Sequence, residues 1–145
     1  VRAALGRLSL TEFRRVRAEA SALPADVLVH GDFTSANVMN SSSGIRVIDW
    51  EFAGPGILGT DEIRLWTTMV RYRDRQRLMN HFLDALPADR RLNTGILIHW
   101  LALRQLAQNL AAPKRYQNPE NIAVGRITLR EARTWRERLS GKPVE

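Results

Sequence analysis

The chain has 145 residues, 44% of them hydrophobic, which suits one globular domain with its own core. The absence of cysteine rules out a disulfide framework and a thiolate zinc centre, three scattered histidines make a poor metal cluster, and the longest apolar stretch, Gly95 to Leu103, is well short of the roughly 20 residues a bilayer span needs. The net charge of +7 invites a nucleic-acid-binding reading, but the arginines are dispersed through Arg14-Arg15, Arg71 to Arg77, Arg90-Arg91 and Arg126 to Arg138, and no base-reading motif accompanies them.

Near the N-terminus, Arg2 and Arg7 lead into a polar amphipathic stretch from Thr11 rather than a signal peptide, so a cytoplasmic protein is expected. Ser9-Leu10-Thr11-Glu12 has the capping-box pattern, and Leu10, Phe13, Val16 and Ala20 recur at helical intervals as far as Leu23-Pro24. Residues 1–26 therefore read as a leading helical segment. Val27-Leu28-Val29 is a short strand running into His30-Gly31-Asp32. Val38-Met39 begins a second strand, Ile45-Arg46-Val47-Ile48 a third, and Ser41 to Gly44 between them is turn material.

Gly54-Pro55-Gly56-Ile57-Leu58-Gly59 spells G-x-G-x-x-G, the pattern of a dinucleotide-binding loop. Pro55 removes a backbone donor, however, and no strand follows the next helix to complete a βαβ unit, so these glycines are expected in a mobile loop. Thr60 is placed to cap a helix that opens with Asp61-Glu62 and carries Ile63, Trp66, Met69 and Val70. A second helix runs from about Asp74 to Leu86, stopped by Pro87, and a third spans about Asp89 to Ala111. In the third, a stripe of Ile96, Trp100, Leu103, Ala107 and Leu110 is widened by Leu97, Ile98 and Leu101, making it the most buried helix. After a polar connection from Lys114 to Glu120, a last helix carries Ile127, Ala132, Trp135 and Leu139 and ends at Gly141. The fold class expected is α+β and mostly helical: one domain over residues 1–145, with a small hairpin in residues 27–66 and a helical part in residues 67–145.

The chemistry concentrates between His30 and Glu51. A hairpin centred near Ser43 pairs residues whose numbers sum to about 86, which sets Asn37 across from Asp49. Directly opposed residues have Cβ atoms roughly 4.5 to 5.5 Å apart. An amide oxygen and a carboxylate at that separation suit one hard cation, and Mg²⁺ takes oxygen ligands while keeping water and phosphate oxygens in its shell. Asp32, five residues before Asn37, is placed to accept a hydroxyl proton beside that metal. A base for the acceptor and cations for the phosphates are the parts that phosphoryl transfer needs.

His30-Gly31-Asp32 with Asn37, followed by Ile48-Asp49-Trp50-Glu51, resembles the catalytic core of the aminoglycoside phosphotransferase and choline kinase-like family, relatives of the protein kinases. The resemblance covers Val27 to about Trp66. It implies the C-terminal lobe of a protein-kinase-like fold, with Asp32 as catalytic base, Asn37 and Asp49 as Mg²⁺ ligands at the ATP phosphates, His30 as a positioner of the catalytic loop, and Asp61 as the brace that opens the next helix. Glu51 either helps position the metal or is solvated. The same family walls its acceptor pocket with the helices that follow, which makes Trp66, Tyr72, His99, Trp100 and Gln105 pocket candidates alongside Glu51.

The activity implied is transfer of the ATP γ-phosphoryl group to a hydroxyl of a small molecule. Few acids accompany the arginines of the helical part, which argues against a polycationic acceptor. Such a kinase also needs a β-rich lobe whose lysine neutralises the phosphates. Here the residues before Val27 read as helix, and the only lysines, Lys114 and Lys142, follow the site. The N-terminal lobe is therefore expected from elsewhere in a longer chain or from a partner. A non-catalytic kinase-like binding module and an Arg-rich nucleic-acid binder are the competing readings.

Overall fold

The computed structural model describes residues 9–141, so the leading segment before Ser9, including Arg2 and Arg7, and Lys142 lie outside the described residues. The described chain forms two compact units, one built from residues 9–23 and 87–141, the other from Pro24–Leu86. The sequence boundary between residues 66 and 67 falls inside a helix of the second unit.

The first unit holds three long helices. In α1 (Leu10–Ser21) the Ser9 hydroxyl accepts the Glu12 amide at 3.2 Å, capping the helix start, and Val16 and Ala20 are buried. α4 (Arg91–Ala111) and α5 (Pro119–Leu139) form the largest contact of the unit, and α1 also packs on α4. Glycine permits the close approach at two places. A Cβ on Gly95, early in α4, would lie 3.3 Å from the Arg136 Cα, and one on Gly125, early in α5, would lie 3.1 Å from a Leu106 methyl group. Each glycine meets the far end of the other helix, so α4 and α5 run antiparallel.

α4 buries only part of the expected stripe. Leu103 is buried with Leu97, Ile98 and Leu101, the residues expected to widen it, and Thr94, Ala102 and Leu106 join them, whereas Ile96, Trp100, Ala107 and Leu110 stay partly exposed. Where apolar side chains lie all round the helix, as from Ile96 to Leu103, the packing partners choose the buried face, and α1 and α5 chose a side rotated from the one periodicity suggests. Asn118 caps α5 by accepting the Glu120 amide, Pro119 fills the first turn, and Gly141 with φ 70° follows its end.

An ionic network crosses this unit. The Glu12 carboxylate accepts from Arg133 Nε and Nη2 and from His99 Nε2, while Arg136 reaches both His99 Nδ1 and Glu19. The imidazole therefore donates through Nε2 and accepts at Nδ1. Burial holds its pKa down to about 4, against the pull of Glu12 and with the help of Arg136 and Arg133. Burial by itself would raise the Glu12 carboxyl, but hydrogen bonding and charge from Arg133, with His99, outweigh it and hold Glu12 below the usual range.

The second unit carries two small sheets and two helices. β1 (Val27–Val29) pairs antiparallel with β4 (Gly54–Gly56), and β2 (Val38–Ser41) pairs antiparallel with β3 (Gly44–Val47). The Gly54 to Gly56 segment is thus a strand rather than part of a mobile loop. Pro55 is tolerated because the sheet has only two strands, and Gly56 is needed because a Cβ there would lie 2.4 Å from a Val29 methyl group. α2 (Thr60–Thr68) starts after Gly59, whose φ of 90° and close approach to the Phe82 ring suit glycine. Thr60 does not cap α2: its hydroxyl donates back to the Ile57 carbonyl. α3 (Tyr72–Ala85) packs on α2, with Ile63, Trp66, Met79 and Phe82 buried.

Candidate active site in the His30 to Arg64 segment

The loop from His30 to Asn37 connects β1 to β2, and its shape follows from a small set of hydrogen bonds. His30 is buried, at 2% exposure, and its two ring nitrogens are both used. Nδ1 accepts the Asp32 amide at 3.3 Å, and Nε2 lies 2.8 Å from the Ile48 carbonyl, an arrangement that selects the tautomer with hydrogen on Nε2. The imidazole thereby ties the loop to the end of β3, with the Trp50 ring 4.6 Å away. Gly31 turns the chain at φ 82°.

Asp61, in the first turn of α2, accepts the His30 amide at 2.7 Å and the Gly31 amide at 3.2 Å on its two carboxylate oxygens. A carboxylate on two backbone amides is a charge-assisted brace. Asp32 follows, half-buried, with Oδ1 3.0 Å from Arg64 Nη2. Asn37 turns its amide nitrogen onto the Asp32 carbonyl at 2.9 Å, with Asp32 Oδ2 a further 3.4 Å contact. That orientation leaves the Asn37 oxygen pointing away from the loop carbonyl.

The hairpin register differs by one residue from the expected one. Val38 pairs with Val47 and Ser41 with Gly44, so partners sum to 85, and the Asn37 carbonyl accepts the Ile48 amide at 3.0 Å. Asn37 is opposite Ile48, not Asp49. The loop contains only Ser42 and Ser43, and loop length sets the register. Asp49 is the next residue and takes the left-handed conformation, φ 65° and ψ 58°, the one non-glycine residue at positive φ among those described. Such a conformation disfavours an L-residue by roughly 1 to 2 kcal/mol, and strain of this kind concentrates at functional positions.

The pocket candidates fall in both units. Glu51 is exposed in the short 3₁₀ turn Trp50–Phe52, and Tyr72 is exposed at the start of α3. Trp66 has no exposed surface and lies under the Arg75 guanidinium, 4.7 Å from the ring centroid, so it is core of the second unit rather than a pocket wall. Trp100 and His99 are on α4 of the first unit, where Trp100 meets Phe13 edge-on and His99 lines a cavity of about 430 Å³ with Ile96, Arg133 and Arg136. Gln105, also on α4, donates to Asn109.

Sequence reasoning missed Arg64. Its signal was present in Asp61-x-x-Arg64, a spacing that puts both side chains on one face of α2, but nothing local says which residue that face meets.

The donor set can be tested against a metal. Among the described residues no group of three or more His, Asp or Glu side chains gathers as a metal cage. Mg²⁺ does not need one, since it binds through one or two protein oxygens and completes its shell with water and phosphate. The Asn37 amide oxygen and the Asp49 carboxylate are donors of that hard kind, but the observed register sets Asn37 opposite Ile48, so the direct opposition from which a shared cation was expected is not formed.

The model of the phosphotransferase enzyme family matches residues 2–105, and the chain belongs to that family, the aminoglycoside phosphotransferase-like one that the loop motifs resemble. No curated protein and no solved structure matched the chain. Phosphotransferase chemistry is the general activity of the family. Among the described residues no helix is long and apolar enough to cross a membrane.

Proposed function

We propose that the chain is the C-terminal lobe of a kinase-like phosphotransferase that moves the γ-phosphoryl group of ATP to a hydroxyl of a small molecule. The carrying observation is the presentation of Asp32: its loop is braced by Asp61 on two amides, and the Asn37 amide holds its carbonyl. A carboxylate so held is suited to take the proton of an acceptor hydroxyl. As that proton passes to Asp32, the acceptor oxygen bonds to the γ-phosphorus and the bond to the β,γ-bridging oxygen breaks, with ADP leaving on that oxygen's electron pair. Asn37 and Asp49 would hold Mg²⁺, which when bound neutralises charge on the phosphates.

His30 acts on this site through the loop, by tying Asp32 to the end of β3, and Asp61 acts through the backbone. In the intact enzyme, Asp32→Asn should collapse turnover while Mg²⁺-ATP affinity by calorimetry stays near wild type. Asp49→Asn should lose the metal. Full activity in either variant would overturn the assignment, and wild-type Mg²⁺-ATP binding without any phosphoryl transfer to water or a panel of alcohols would leave a binding module instead.

A further inference from the structure

Resting on the reading of Asp32 as the base, we infer that Arg64 is its positioning residue. α2 meets the loop at two successive points of one face. Asp61 holds the backbone of His30 and Gly31, and Arg64, one turn on, holds the side chain of Asp32 through a 3.0 Å contact to Oδ1. One helical turn thus restrains three consecutive residues, two by their amides and the third by its carboxylate.

The consequence is a division between the two Asp32 oxygens. Oδ1 is committed to the guanidinium, in a pair whose Arg64 side chain is 20% exposed and whose Asp32 side chain is 33% exposed. Among the described residues Oδ2 has only the Asn37 amide at 3.4 Å, beyond the usual 2.7 to 3.2 Å range of an N–H···O bond. Oδ2 is therefore the oxygen left to meet an acceptor hydroxyl, and Arg64 fixes the rotamer that aims it. An aspartate without this partner would keep its loop position and lose its aim. Because a placement error on the order of 1 Å can lower a rate by about a hundredfold, removing the partner should act on the chemical step.

The rival is that Arg64 occludes the base at rest and must be displaced before reaction. The two differ in sign. In the intact enzyme, with Mg²⁺-ATP hydrolysis to water as the probe, R64M should lower kcat by about 10- to 100-fold and leave KM for ATP unchanged. R64K, which keeps a charge and a donor, should recover most of that loss, a recovery that a purely structural defect would not show. Thermal unfolding identifies a misfolded R64M, in which case R64Q, with a shorter neutral amide, carries the same comparison. A wild-type or raised kcat in the neutral variant, or a loss confined to KM, overturns the role of Arg64. Asp32→Asn is the control on the underlying reading: if it hydrolyses ATP at the wild-type rate, the base assignment fails, whereas its collapse beside a wild-type R64M defeats the Arg64 inference alone.

Discussion

Gly31 lies against the backbone of Phe52: a Cβ on Gly31 would stand 2.4 Å from the Phe52 carbonyl oxygen. The neighbour is main chain at the end of the 3₁₀ turn after Asp49, so it has no rotamer to yield. Gly31 also sits at φ 82°. Both effects oppose any side chain there, and Gly31→Ala should destabilise the fold by about 2 kcal/mol or more. Urea denaturation measures it, and wild-type stability in this variant would show that the loop approaches Phe52 less closely than described.

Asp61 offers a graded case. Asp61→Ala removes the acceptor of two amides and should lower stability by about 2 kcal/mol, whereas Asp61→Asn keeps one oxygen and should lose less. Hydrogen exchange at the His30 and Gly31 amides should accelerate in the same order. Unchanged exchange in Asp61→Ala would mean that the brace is not formed in solution.

At Asp49 the conformation separates stability from function. The left-handed backbone favours glycine over alanine, so Asp49→Gly should be more stable than Asp49→Ala by about 1 kcal/mol. On the proposed reading both variants lose Mg²⁺ affinity alike, because neither has a carboxylate. Equal stability of the pair by thermal unfolding would argue against the positive φ.

The His99 network predicts an acid-sensitive fold. The imidazole titrates near 6.5 when unfolded and near 4 when folded, so between these values the unfolded chain binds more protons. Stability from this group is present above pH 6.5 and is lost as pH falls toward 4. Glu12 and Glu19, whose carboxyls are also held low against the opposing effect of burial, Glu19 by Arg136 and Arg15, lose their contributions further down in pH. The unfolding midpoint should therefore drop between pH 6.5 and 4, and His99→Gln should flatten that limb. A midpoint that is level across this window in the wild-type protein would exclude a buried neutral His99.

Local pattern was enough for much of the architecture. The Ser9 cap, the turn between Ser41 and Gly44, and the helices ending before Pro87 and Pro113 each depend on residues within a few positions of one another. The order His30, Asp32, Asn37, Asp49 was readable for the same reason, since a loop followed by a hairpin keeps these residues within twenty positions.

What needed the folded chain were relations across distance or between near-equal choices. Asn37 opposite Ile48 rather than Asp49 turned on whether the hairpin loop held two residues or three. Which side of α4 was buried depended on α1 and α5, because its central run from Ile96 to Leu103 carries apolar side chains all round the helix. Trp66 went to the core under Arg75, and Arg64 reached Asp32 across 32 positions. Periodicity reports which residues share a face of their own element, and only packing decides what that face meets.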